Sequence, residues 1–147
     1  MKLTKAYKAG AGFILALTLM TACSGKKNGD PRLIGTWHSN QAQTMAAALQ
    51  SDPKMAEAPP EQLEAFKKQF GQLSLTYTDT TIAIRHHDTF KTFQYHVVER
   101  GDDFVVIQTT GAVEDGRDIR MRFADSNRAY WVDTGLGYLE KFDKTTQ

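Results

Sequence analysis

The spacing of apolar residues divides the chain into three parts. From Ala9 to Met20 they run almost unbroken, with Phe13, Ile14, Leu15, Leu17 and Leu19 among them. Over 41–70 they recur at helical spacing, and from Gln72 onward they alternate with polar residues. Met45 and Leu49 share a face of the alanine-rich stretch 41–50. This predicts a short helix, capped by Ser39 or Asn40 and ended by Pro53. Leu63, Phe66 and Phe70 predict a second helix over 61–70, behind Pro59 and Pro60 and ahead of Gly71. Before the helices, 33–39 reads as a strand around Trp37. After them the period is two. Leu73, Leu75 and Tyr77 mark one strand, Ile82 and Ile84 the next, then Phe93, Tyr95 and Val97. Further strands are predicted over 104–110, 119–123, 128–133 and 137–142. Turns fall at Asp79-Thr80, His87-Asp88, Gly101-Asp102-Asp103 and Asp125-Ser126-Asn127.

One strand, a helical insertion and a seven-strand meander must close or fold over to bury an apolar face. The expected fold is mainly β: an antiparallel eight-strand barrel with a short helical insertion between strands one and two. Tyr77, Phe93, Tyr95, Phe104, Met121, Phe123 and Tyr130 are the large residues expected inside. Gly35-Thr36-Trp37, at the start of the first strand, resembles the Gly-x-Trp signature of lipocalins and related calycin barrels. The resemblance implies that Gly35 bends the strand and Trp37 plugs the closed barrel end. It also implies a basic residue of the last strand across the indole, with Lys141 as the candidate and Arg128 second. Two features differ from ordinary lipocalins: the helical insertion replaces an open loop, and the family's later Thr-Asp-Tyr motif has no counterpart.

The N-terminus has the layout of a secretory signal peptide: basic Lys2, Lys5 and Lys8, the apolar run, then small Thr21 and Ala22. Met20-Thr21-Ala22-Cys23 resembles the lipobox of bacterial lipoproteins, whose usual form has Leu where Met20 stands. That resemblance implies cleavage before Cys23, a thioether-linked diacylglycerol on its sulfur and an acylated new N-terminus. Several chains on one residue give stable anchoring, at about 0.8 kcal/mol per buried methylene. Ser24 stands where an aspartate favours inner-membrane retention in enterobacteria, so the outer membrane, facing the periplasm, is the expected destination. The chain thus divides into a signal peptide (1–22), a lipidated polar tether (23–32) and a barrel domain (33–147).

Charge and composition narrow the function. The whole chain has 18 basic and 17 acidic residues. Beyond residue 22 the acids outnumber the bases, which excludes a strongly basic nucleic-acid binder. A single cysteine excludes an internal disulfide framework and a cysteine-based zinc site. The apolar run is too short for a stable membrane span.

Candidate chemistry is sparse. His86-His87-Asp88, with His38 and His96, is the one cluster to weigh for a metal, but neighbours on a strand point to opposite faces, so no metal is expected. No nucleophile sits in a glycine-rich elbow and no glycine loop is shaped for phosphate. The expectation is a non-catalytic protein without a cofactor. Two functions remain open. In one, the barrel binds a small apolar or amphiphilic molecule, a fatty or aromatic ligand, beneath the insertion acting as a lid. Met45, Leu49, Leu63, Phe66 and Phe70 would then line the site, with Tyr77, Tyr95 and Arg122 as candidates for its polar end. In the other, side chains fill the barrel and its surface engages an envelope protein, as an inhibitor, immunity factor or assembly accessory.

Overall fold

The alternation from Gln72 onward becomes a barrel wall in the computed structural model, which describes residues 29–111, 116–135 and 137–146. The expected signal peptide, Cys23 and most of the expected tether lie outside the described residues. The strands are β1 (Gly35–Ser39), β2 (Leu73–Tyr77), β3 (Thr81–His86), β4 (Thr89–Arg100), β5 (Phe104–Thr110), β6 (Asp118–Ala124), β7 (Ala129–Asp133) and β8 (Leu139–Lys144). Each pairs antiparallel with its sequence neighbour, and β8 closes on β1 with Trp37 opposite Lys144. β8 extends two residues beyond the expected end, and that extension provides the closing register.

The odd-numbered positions of β1, β2, β5 and β6 and the even-numbered ones of β3, β7 and β8 turn inward. Their side chains form one core around Trp37, Leu75, Tyr77, Ile107, Tyr130 and Phe142. Trp37 is completely buried and meets Tyr130 at 4.7 Å between ring centroids. Phe104, expected inside, faces out. Val105 and Ile107 take the inward positions of β5, and Arg120 covers the Phe104 ring at 4.2 Å. Arg122 shares that outer face and is exposed.

The insertion comprises α1 (Gln41–Ser51), a 3-10 helix (Pro53–Glu57) and α2 (Pro60–Lys67). Asn40 caps α1, its side-chain oxygen accepting from Gln43 N at 3.0 Å. Ser39, the other cap candidate, is the last residue of β1. Because β1 stops there, the β8 backbone at Lys141 has no partner on the β1 side. The insertion replaces it: Lys141 N donates to Thr44 Oγ1 at 3.0 Å, and Asn40 N donates to Lys141 O at 2.8 Å. Thr44 is fully buried as a result. α1 therefore lies against β8 as a seal on the wall.

Candidate functional site

The two ends of the barrel differ. At one end the chain from Gly29 to Ile34 forms a plug. Asp30 is 1% exposed, and its carboxylate holds Arg32 through Nε at 3.0 Å and Nη2 at 2.9 Å. The guanidinium also donates to the carbonyls of Gly101, Asp102 and Phe104 and lies 4.5 Å from the Phe123 ring. Arg100 adds a second positive charge at 3.5 Å from Asp30. Burial alone would raise the Asp30 pKa, but its bonds to Arg32 and the two nearby cations outweigh it and hold the carboxyl below the usual range. Residues 29–32, read from the sequence as tether, are thus part of the folded unit.

Trp37 sits above this plug, its indole N–H donating to Leu33 O at 2.6 Å. The cation at the indole is Lys144, with Nζ 5.2 Å from the ring centroid and 3.1 Å from Arg32 O. This corrects the expectation of Lys141 or Arg128. Strand parity is the reason: Lys144 shares the inward face of β8 with Phe142, whereas Lys141 points out. There Lys141 is almost buried, bonded to Gln43 at 2.5 Å and Asp125 at 3.0 Å, and paired with Asp143 at 3.4 Å. Its nearest indole is Trp131, at 5.9 Å. Gly35 has φ at 123°, and a Cβ there would lie 3.0 Å from the Lys144 stem.

The other end is open and holds a cavity of about 400 Å³. Leu75, Tyr77, Ile82, Ile107, Met121 and Phe142 form its apolar wall, with Leu73, Ile84, Ile119 and Val132 nearer the mouth. Arg117, Asp118, Asp133 and Thr134 edge the mouth, and Glu140 stands inside. Within the wall, Tyr77 and Tyr130 meet hydroxyl to hydroxyl at 3.3 Å, and Tyr77 also donates to the Met121 sulfur at 3.6 Å. Burial pushes the pKa of both phenols well up, so both remain neutral donors. Glu140 is 6% exposed and accepts a hydrogen bond from Ser39 Oγ, which itself accepts from Gly71 N at 2.9 Å. Burial raises the Glu140 pKa, and the Ser39 bond only partly opposes it.

Of the ligand-site residues read from sequence, Tyr77 lies in this wall. Tyr95 is below it, buried at the closed end, with its hydroxyl on Thr78 O at 2.7 Å and its pKa raised by burial to about 12. The helical candidates are elsewhere among the described residues. Met45 and Leu49 belong to α1, which seals β8. Phe66 and Phe70 stack edge-on with Tyr138 of the β7–β8 connection at 5.2 and 5.1 Å. Leu63 is half-buried on the same helix. The insertion therefore braces the rim instead of lining the pocket. α1 buries Thr44 and Ala48 and meets β8 through Thr44, while Phe66 and Phe70 meet Tyr138, which the sequence spacing did not reveal. Glu140 was missed because it reads as an ordinary outward charge in Tyr138-Leu139-Glu140-Lys141-Phe142. Its parity with Phe142 was the available signal.

The histidine pair is exposed at the same end, where β3 runs into the β3–β4 turn. His86 Nε2 is 3.2 Å from Gln72 Oε1, and the two imidazoles are 4.4 Å apart across the β3–β4 turn. Among the described residues no group of three or more His, Cys, Asp or Glu side chains is placed to hold a metal.

The chain gives no significant match to a protein-family model, a curated protein or a solved structure.

Proposed function

We propose that this chain is a lipoprotein of the bacterial envelope whose lipocalin-like barrel binds a small apolar or amphiphilic molecule without transforming it. The observation that carries the reading is the open cavity of about 400 Å³, apolar in its wall with a few placed polar groups. That is the composition and size of a small-molecule site. The lipobox resemblance at Cys23 supplies the anchor, with the outer membrane as destination. The plug supports an orientation. Gly29 packs against Asp79 and Tyr95 at the closed end, and an extended chain from Cys23 to Gly29 spans at most roughly 20 Å. Anchoring at Cys23 thus holds the closed end near the bilayer and turns the mouth away from it.

Native mass spectrometry of the delipidated protein purified from its own envelope tests this reading. A stoichiometric, releasable small molecule supports it. An empty barrel together with specific capture of an envelope protein supports the interaction-module reading instead. That alternative draws on Phe90, 62% exposed beside an outer-wall groove over His38, Thr76 and Arg85.

A further inference from the structure

Glu140 has an unusual position for a carboxyl group. It projects from β8 into an apolar cavity, 6% exposed, with Ser39 Oγ as its hydrogen-bond donor. The side chains beside it on the inner face are Val132 across the β7–β8 ladder and Tyr130 and Phe142 below. None of these carries a positive charge. The nearest lysine in sequence, Lys141, is turned through the wall toward Gln43, Asp125 and Asp143. At the mouth, Arg117 lies over the β7–β8 connection, with Nη2 2.5 Å from where a Cβ on Gly135 would stand. Asp118 and Asp133 lie at the same mouth and give it an acidic surplus with Glu140. Their carboxylates are already engaged, Asp118 by Gln108 Nε2 at 2.7 Å and Asp133 by Gly135 N at 2.7 Å.

An anionic head entering this space would meet a buried carboxyl in low dielectric, and one of the two would have to take up a proton. A neutral head would be tolerated. A cation with N–H donors would both offset the Glu140 charge and satisfy its remaining oxygen capacity, through a charge-assisted hydrogen bond shielded from water. Building on the ligand-binding reading of the cavity, we propose that it selects amphiphiles with an amine head. The head would be seated on Glu140 and the alkyl or aryl body would lie among Leu75, Ile107 and Met121. This reverses the fatty-acid preference expected from an apolar barrel alone.

The test is competition by decylamine, decanol and decanoic acid for the uncharged fluorophore N-phenylnaphthylamine. It uses the chain from Ser24 onward, which contains the whole barrel and plug, and its Glu140→Gln variant. In wild type, decylamine should displace the fluorophore about ten-fold more effectively than decanol, the size of one charge-assisted hydrogen bond, with decanoic acid weakest. Glu140→Gln should bring amine and alcohol to within about two-fold of each other while decanol binding persists. The wild-type ranking needs no variant, so a poorly folding Glu140→Gln would not block the test. Decanol binding with no amine preference, or a preference for decanoic acid, overturns the Glu140 assignment and leaves the ligand reading standing. Failure of the fluorophore and all three chains to bind overturns both.

Discussion

Lys144 Nζ lies 5.2 Å from the centre of the Trp37 ring, and the two residues are direct partners across the β1–β8 seam. One pair thus joins the first strand to the last, fills the closed end and, through Arg32 O, holds the plug in place. Removing the indole should leave a void in a fully buried site. Trp37→Ala is expected to cost about 3–5 kcal/mol in denaturant unfolding. Lys144→Met keeps much of the stem and should cost only about 1 kcal/mol, the scale of a partly exposed cation–π contact. Equal, negligible losses in both variants would contradict this account of the seam.

The plug predicts a pH dependence. The Asp30 pKa is held below its unfolded value, so the carboxylate contributes stability above that unfolded value. The contribution is lost as pH falls through the folded pKa. Thermal melts from neutral to acid pH should therefore fall more steeply for wild type than for Asp30→Asn. The variant should be less stable at neutral pH, where Arg32 loses its charged partner.

Glu140 titrates in the opposite sense. Its folded pKa is raised, so the folded state binds its proton more tightly than the unfolded chain does. The stability it confers is present below the unfolded pKa and is lost as pH rises through the folded one. Glu140→Gln should leave acid-side stability nearly unchanged and raise stability at neutral pH. A variant less stable than wild type at neutral pH would show that the ionised carboxylate has a structural role.

The seal between α1 and β8 rests on Thr44. Thr44→Val keeps the shape but removes the oxygen that accepts from Lys141 N. A buried orphan amide costs about 1–3 kcal/mol. Hydrogen exchange should report the loss locally, with faster exchange at Lys141 than in the β5–β6 ladder. Uniform exchange in the variant would contradict the seal.

Anchoring is predicted from the lipobox resemblance. Cys23→Ser should abolish palmitate labelling and leave the precursor uncleaved. Fractionation should place the wild-type protein with outer-membrane markers. Full labelling of the variant would remove the lipoprotein reading.

The barrel was legible because period-two alternation and short turns recur through the chain, and eight antiparallel strands have few ways to cover an apolar face. Trp37 and Gly35 drew notice through the resemblance of Gly35-Thr36-Trp37 to the Gly-x-Trp signature, not through periodicity. What escaped the sequence was set by parity and tertiary contact. Lys141 and Lys144 are both basic residues near the end of β8, and only the inward register assigns Lys144 to the indole. Leu63, Phe66 and Phe70 announce an apolar face, but not that α2 ends at Lys67 or that Phe66 and Phe70 pack on Tyr138. Asp30 and Arg32 read as tether because the groups that fix them are distant in sequence, Arg100 for Asp30 and the carbonyls of Gly101 and Asp102 for Arg32.

The central claim is that the barrel interior is a ligand site, and a cavity-filling substitution tests it most directly. Val132 lines the cavity, is only partly buried and faces the open end, so Val132→Trp should occupy the space without disturbing the closed half. Saturation titration with N-phenylnaphthylamine should show one site in wild type and none in Val132→Trp, with the two melting temperatures alike. Absence of saturable binding in wild type, or undiminished binding in the filled variant, would contradict the account.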